Sequence, residues 1–127
     1  MAAYEYSSDY SPAAPVCLIY LGAGGRGATF GPVPALLDTG ADFTVIPLSL
    51  LRQVGAPQIG QGRARSIWQA THSVSVFAVS LRVEALQMQA LRVLADEDGE
   101  EIILGRQILN RLRLFLDGPA GLLEIDE

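Results

Sequence analysis

One carboxylate in the sequence is a clear candidate for chemistry, that of Asp38. Residues 35–42 read Ala-Leu-Leu-Asp-Thr-Gly-Ala-Asp, so three apolar residues lead into the acid and Gly40 permits a sharp turn after it. An acid at the end of a buried strand must be hydrogen-bonded, paired or protonated, and a perturbed proton affinity serves acid-base catalysis. Asp-Thr-Gly also suits an ordinary turn, since all three residue types are common in turns. For the tripeptide alone, an ordinary turn is the favoured interpretation.

A second motif has the spacing of a nucleotide-binding loop. Residues 22–27 read Gly-Ala-Gly-Gly-Arg-Gly and follow a predicted strand, which matches the pattern G-x-G-x-x-G. That motif binds a pyrophosphate only where a helix begins directly after it. Pro32 and Pro34 lie shortly downstream and are incompatible with such a helix. A glycine-rich hairpin loop is the favoured interpretation, and nucleotide binding is the weaker alternative.

Residues that ligate metals are scarce in this chain. Cys17 and His72 are its only cysteine and histidine, and no ligand spacing supports a zinc site completed by carboxylates. The acidic run at residues 96–101 lacks the spaced acids and the glycine placement of an EF-hand, so we expect a solvated turn there rather than a calcium site. With a single cysteine no intrachain disulfide can form, which fits a reducing compartment. The sequence predicts no metal and no organic cofactor.

The composition predicts one globular domain. The chain has 127 residues, of which half are apolar and 18% are charged. The net charge is -5 and the nine basic residues, all arginine, are scattered, so nucleic acid is not an expected partner. No apolar run approaches the roughly 20 residues of a membrane span, and the N-terminus lacks the basic and apolar parts of a secretory signal. We therefore expect a cytoplasmic protein without a membrane span.

Short strands and turns are predicted to position Asp38. Residues 1–15 show no periodicity and predict a flexible N-terminal tail, which leaves residues 16–127 as the domain. Helical segments are predicted over residues 47–54 and 106–112. β-branched and apolar runs predict strands over residues 16–21, 33–37, 43–46, 63–68, 73–79, 79–86, 89–94, 102–105, 112–116 and 122–125.

Two separated motifs resemble the signatures of one protein family, the retroviral-type aspartic proteases or retropepsins. Residues 35–42, followed by Thr44-Val45, resemble the active-site stretch of that family, and residues 102–106, Ile-Ile-Leu-Gly-Arg, resemble its second signature. The order of predicted elements also matches from residue 16 to residue 125, and the C-terminal part looks more like stand-alone microbial members than viral ones. The resemblance implies an all-β fold, a closed β-barrel forming half of an acid protease, with a flap hairpin and one short C-terminal helix.

The resemblance also implies roles for individual residues. Asp38 would be the catalytic acid, supported by Thr39, Gly40 and Gly105. Thr39 would interlock with its copy across a dimer, and Gly105 would allow its strand to pack beneath the Asp38 loop. Arg106 would form a structural ion pair with Asp42. The residues expected to contact substrate are Gly40, Ala41, Asp42, Trp68, Gln69, Ala70 and Thr71, the last four at the flap tip, which lacks the glycines of viral flaps.

The single Asp-Thr-Gly has a consequence for assembly. Peptide hydrolysis by this chemistry needs two carboxyl groups that share a proton, and a two-fold axis through the site can supply the second from another copy. We therefore expect a homodimeric aspartic endopeptidase that cleaves extended polypeptide, most active under acidic to mildly acidic conditions. The alternative is a non-catalytic dimerisation or peptide-binding module with the same fold.

Overall fold

The computed structural model describes residues 1–65 and 71–126, and this part of the chain consists of ten strands and two short helices. No helix in it is long and apolar enough to cross a membrane. In chain order the elements are β1 (Ala2–Glu5), β2 (Val16–Ala23), β3 (Phe30–Leu37), β4 (Val45–Pro47), α1 (Leu48–Gln53), β5 (Gln58–Arg65), β6 (Thr71–Val83), β7 (Leu86–Asp96), β8 (Ile103–Leu104), α2 (Arg106–Leu109), β9 (Arg113–Asp117) and β10 (Leu122–Asp126).

Six of the strands close into a barrel. The ring runs β2-β3-β8-β4-β7-β6, and β6 pairs back with β2 through residues 79–82. β5 adds to the other end of β6 and forms a hairpin with it that projects from the ring. Closing the ring leaves no unpaired edge among its strands, which is how small sheets protect their backbone groups. The predicted all-β fold with a closed barrel is confirmed.

Alternating apolar residues fill the interior of the barrel. Cys17, Ile19 and Leu21 of β2 are buried, whereas Leu18 between them is 43% exposed, as expected for a strand with one face on the core. β6 differs from β2 because its residues 77–81 are all buried, so that both of its faces are covered along this stretch. The sequence predicted two strands that divide at Val79. That boundary is wrong, because burial on both faces removes the alternation that marks a strand.

The two motifs singled out in the sequence end neighbouring parallel strands. β3 pairs with β8 in parallel, with Leu36 opposite Ile103 and Leu37 opposite Leu104. Asp38 and Gly105 directly follow these two strands. The two residues therefore lie at the same end of the paired strands. The barrel topology therefore brings together two segments that are more than sixty residues apart in the chain.

The N-terminal residues are ordered against the C-terminus. β1 pairs antiparallel with β10, which also pairs with β9, and the three strands form a second sheet in the order β1-β10-β9. The Tyr4 hydroxyl donates to Glu84. The Tyr10 hydroxyl donates to Glu101, and this bond is the main reason why the pKa of Tyr10 rises to about 12. The prediction of a flexible tail is wrong for these residues, because four residues, Ala-Ala-Tyr-Glu, carry too short a pattern to reveal a pairing with a strand at the far end of the chain.

The glycine-rich segment forms a hairpin between β2 and β3. β2 runs to Ala23 and β3 begins at Phe30, and no helix lies in the described segment between them. A Cβ atom on Gly22 would lie 2.2 Å from the carbonyl oxygen of Gly27, so the tight approach of the two arms requires glycine there. The hairpin interpretation is confirmed. The helix that a nucleotide-binding loop needs is absent from residues 24–29.

Candidate active site

Asp38 stands at the end of β3 with its carboxylate oriented by its own loop. Its backbone N–H donates to the carbonyl of Leu104 at 3.0 Å, which continues the pairing of β3 with β8 by one residue. The N–H of Gly40 donates to Asp38 Oδ1 at 2.8 Å, and the N–H of Ala41 donates to the Asp38 carbonyl at 3.2 Å. The side chain is half-buried. The turn therefore holds one carboxylate oxygen in place, and in the described part of the chain no donor reaches Oδ2.

Gly105 packs directly against the backbone that follows the Asp38 loop. A Cβ atom there would lie 2.5 Å from both the carbonyl carbon and the carbonyl oxygen of Phe43. Its φ of -91° is open to any residue, so the requirement for glycine comes from close approach and not from backbone conformation. The Gly105 N–H also donates to Thr44 Oγ1 at 3.2 Å. The close approach of Gly105 to Phe43 sets the distance between β8 and the segment that follows the Asp38 loop.

Arg106 joins both ends of the loop at residues 39–42. Its Nη1 donates to the carbonyl of Thr39 at 2.7 Å and its Nη2 to Asp42 Oδ1, while its backbone N–H donates to the Ala41 carbonyl at 2.8 Å. The two residues predicted to form an ion pair are thus in contact. The Arg106 and Asp42 side chains are 41% and 73% exposed, so solvent screens their attraction. We infer that Arg106 contributes to the shape of the loop much more than to the stability of the fold.

Replacing Arg106 should therefore affect activity and stability very differently. For Arg106→Gln we expect the free energy of unfolding to fall by no more than about 1 kcal/mol, as for an exposed ion pair. We expect kcat/KM for peptide cleavage to fall by up to about 100-fold, because small displacements of a catalytic loop are costly. Arg106→Lys keeps the charge but not the two-pronged contact and should be intermediate. Urea unfolding and a peptide-cleavage assay measure the two effects.

Arg111 offers a control for this substitution. It lies just beyond α2 and is exposed, and Arg111→Gln should change neither quantity. A loss of several kcal/mol of stability in Arg106→Gln, or unchanged cleavage, would contradict the role given to this side chain.

A polar network around the buried Thr44 was not predicted from the sequence. Thr44 is fully buried and its N–H donates to Gln107 Oε1 at 2.6 Å, while its carbonyl accepts from the Leu94 N–H at 3.0 Å. Gln107 Nε2 in turn donates to the carbonyl of Arg92 at 3.0 Å. Gln107 thus ties the active-site loop to β7. The signal in the sequence was weak: one threonine within an apolar run and one amide after Gly-Arg.

The predicted substrate-contacting residues divide into two groups. Gly40 and Asp42 are exposed and Ala41 is half-buried, and all three belong to the loop that carries Asp38. Thr71 is the exposed first residue of β6 and pairs with Arg65. The other predicted flap-tip residues, Trp68, Gln69 and Ala70, lie outside the described residues.

Residues 1–65 and 71–126 give little support to a cysteine nucleophile or to a metal site. Cys17 is buried in the barrel, and burial is the main reason why its pKa rises to about 12, so its thiol is not activated as a nucleophile. No group of three or more potential ligands is placed to hold a metal ion within residues 1–65 and 71–126. At the acidic run, Asp96 Oδ1 accepts from the N–H groups of Asp98 and Gly99, which makes a turn of the kind that the sequence predicted.

A protein-family model matches the part of the chain that contains the candidate site. The family model described as "Aspartyl protease" matches residues 24–108, which include the Asp38 loop, Gly105 and Arg106. Comparison with curated protein sequences gives no match.

Two solved structures share the fold. The EIAV protease, in complex with the inhibitor HBY-793, is 23% identical with a TM-score of 0.61, and the match covers 77% of this chain and 86% of that one. A retropepsin-like aspartic protease from Rickettsia conorii is 14% identical with a TM-score of 0.62, covering 96% of this chain and 86% of the other. At these identities the similarity shows the fold, which is retropepsin-like.

Proposed function

Because the chain belongs to the aspartyl protease family, we propose that it is a homodimeric endopeptidase in which Asp38 of two copies activates one water molecule. The observation that carries the proposal is the Asp38 carboxylate, held by the Gly40 N–H at the end of β3 beside Gly105. The chain contains Asp-Thr-Gly once. A symmetric pair of chains is the simplest source of the second carboxyl group, since a two-fold axis duplicates every residue that lies near it.

The chemistry follows from two carboxyl groups that share one proton. The ionised Asp38 takes a proton from water as the water oxygen attacks the peptide carbonyl carbon, and the protonated Asp38 of the other copy gives its proton to the carbonyl oxygen. The tetrahedral intermediate then collapses: the C–N bond breaks as the amide nitrogen gains the proton that the first Asp38 took from water, and one hydroxyl of the intermediate returns its proton to the Asp38 of the other copy. The enzyme forms no covalent bond to substrate in this scheme. Thr39 would contact its copy across the axis and so hold the two loops together.

An extended polypeptide is the substrate class that fits this site. Gly40 and Asp42 are exposed beside Asp38 and offer backbone groups and a carboxylate to a passing main chain. The hairpin of β5 and β6 would cover the substrate from the other side and pair with it as an added strand.

The dependence of activity on protein concentration tests this proposal. If two chains build one site, cleavage of an unfolded protein or a peptide should rise with the square of the total concentration below the dissociation constant of the dimer, and linearly above it. We expect the greatest activity under acidic to mildly acidic conditions. The rival, a non-catalytic module of the same fold, predicts binding of peptide without cleavage at any pH. Absence of cleavage where the protein is dimeric would favour that rival.

A further inference from the structure

A cavity of about 600 Å³ lies between the glycine-rich hairpin and the end of α1. Its walls come from the hairpin that joins β2 to β3 and from residues 53–55, the last residue of α1 and the two that follow it. β3 begins at this cavity with Phe30 and ends directly before Asp38, and its eight residues extend over roughly 25 Å. The cavity is therefore separate from the catalytic loop.

Arg26 gives this cavity a positive charge without an acidic partner in the described part of the chain. The sequence carries 14 acidic residues against nine basic ones. None of those acids lines the cavity, and Arg26 is the one charged residue that does. Within residues 1–65 and 71–126 its guanidinium forms no ion pair and no hydrogen bond. A protein of net charge -5 thus presents an unpaired cation at a concave surface, which favours an anion there.

The turn that carries Arg26 is anchored from inside the barrel. The Arg26 N–H donates to the carbonyl of Ala23 at 2.9 Å. The hydroxyl oxygen of Ser80 lies 2.9 Å from the Ala23 carbonyl oxygen and also contacts that of Arg26, so its one proton can be donated to either. Gly25 completes the turn with a φ of +85°, a conformation that suits glycine. Both backbone groups of Arg26 are therefore held in place.

Ser80 is notable because polar residues are scarce in this core. Among the described residues, Ser80 and Thr44 are the two polar residues that are buried. A buried hydroxyl is tolerated where its hydrogen bonds are made. Thr44 supports the segment that follows the Asp38 loop through its bonds with Gly105 and Gln107. Ser80 supports the turn of Arg26 in the same way, although a turn that only joined two strands would need no such anchor.

The other lining residues define which kind of anion fits. Phe30 and Val54 are half-buried and offer apolar surface, while Thr29 and Gln53 are exposed and offer a hydroxyl and an amide. One guanidinium balances one negative charge and matches the two oxygens of a carboxylate. A phosphate group, which carries more charge, suits the cavity less, because α1 presents its C-terminal end there and that end of a helix is negative.

We propose that this cavity binds a carboxylate that carries an apolar group, with the guanidinium of Arg26 on the carboxylate and the apolar group against Phe30 and Val54. Two kinds of molecule have this chemistry, the C-terminal residue of a peptide and a free aliphatic acid. Binding here is independent of Asp38, since no residue of the catalytic loop lines the cavity.

Titrations followed by NMR test the proposed site on the full chain. The protein is labelled with ¹⁵N and carries Asp38→Asn, so that peptide probes stay intact. One probe is an acetylated tripeptide that ends in leucine with a free carboxylate, and a second is the same tripeptide with a C-terminal amide. The third is 4-methylpentanoate, which keeps the carboxylate and branched chain of leucine without any peptide bond. Both carboxylates should shift the amide signals of residues 22–30 and 53–55 with a Kd on the order of 1 mM, as for other small ligands.

Substitutions of Arg26 identify the group that binds the anion. Arg26→Gln should raise the Kd of both carboxylates at least about tenfold, because it removes a charge-assisted hydrogen bond. Arg26→Lys keeps the charge without the two-pronged contact and should be intermediate. Arg52→Gln is the matched control, since Arg52 is exposed on α1 but does not line the cavity. Its Kd should stay within about twofold of the parent, because solvent and salt screen an exposed charge.

Each outcome bears on one part of the proposed site. Hairpin signals that stay unmoved with both carboxylates, equal shifts with the amide, or a Kd that is unchanged in Arg26→Gln would overturn the site. Inorganic phosphate that binds more tightly than the carboxylates would overturn the ligand class. Tighter binding of the peptide than of 4-methylpentanoate would assign the site to a peptide C-terminus, and the reverse order to a free aliphatic acid. Because the tested protein lacks the Asp38 carboxylate, none of these results depends on whether the wild type cleaves peptide.

Discussion

Asp38→Asn should reduce kcat/KM for peptide cleavage by about 1,000-fold or more while the protein still folds and dimerises. General acid and general base steps each contribute on the order of 100- to 10,000-fold, and in a symmetric dimer the substitution removes both partners at once. The asparagine side chain has nearly the same shape and its oxygen can still accept from the Gly40 N–H, a bond of 2.8 Å in the wild type. The fold should therefore tolerate the change. Cleavage and urea unfolding, measured side by side, check both statements.

Mixing the same variant with wild-type chains sharpens the result. If one active site needs Asp38 from two copies, an equimolar mixture at constant total concentration should keep about a quarter of the wild-type activity, since only a quarter of randomly formed dimers are wild type on both sides. A site complete within one chain would keep about half. Asp98→Asn is the matched control, because Asp98 is an exposed acid in the turn after β7. Turnover that survives in pure Asp38→Asn would exclude the dyad mechanism.

The sequence was sufficient to predict how the centre of the site is built. An apolar strand that ends in Asp38 and another that ends in Gly105 are both local patterns. Their pairing in the structure, Leu36 with Ile103 and Leu37 with Leu104, follows from the shared fold and not from either pattern alone. The contact of Arg106 with Asp42 depends on the same pairing. The resemblance to a family supplied this long-range information, which hydrophobic periodicity does not contain.

Features that depend on non-local pairing were predicted less well. β1 has four residues and exists because β10 lies beside it, so nothing within residues 1–15 marks it as a strand. β6 looked interrupted because its residues 77–81 are buried on both faces and so lack the alternation of a strand. α2 is four residues long and not seven, since Asn110 follows it as the cap and the chain turns toward β9. Pairing partners, and not local propensity, set these boundaries.

The polar network under the loop illustrates a different limit. A buried threonine such as Thr44 is tolerated only when its polar atoms have hydrogen-bond partners. The Thr44 N–H donates to the side chain of Gln107, which lies more than sixty residues further along the chain. The sequence shows both residue types but not their contact. The presence of the pair indicates that the loop after Asp38 is held from three sides, by Leu104, Arg106 and Gln107.

Gly105→Ala should distort the loop that carries Asp38. The new Cβ would lie 2.5 Å from the Phe43 carbonyl carbon and oxygen, and backbone atoms cannot move aside as a flexible side chain does. Overpacking of this kind costs about 1–3 kcal/mol in the free energy of unfolding. The hydrogen bonds on either side, from Asp38 N–H to Leu104 and from Arg106 N–H to Ala41, would shift with it.

We therefore expect Gly105→Ala to lose both stability and activity, in contrast with Asp38→Asn, which should lose activity alone. Gly60→Ala is the matched control, because a Cβ on Gly60 meets no atom within 4 Å, and its unfolding free energy should stay within about 0.5 kcal/mol of the wild type. Urea unfolding of both variants, with peptide cleavage measured for Gly105→Ala, checks both expectations. If Gly105→Ala were as stable and active as the wild type, the close packing of β8 under the loop could not be what positions the carboxylate.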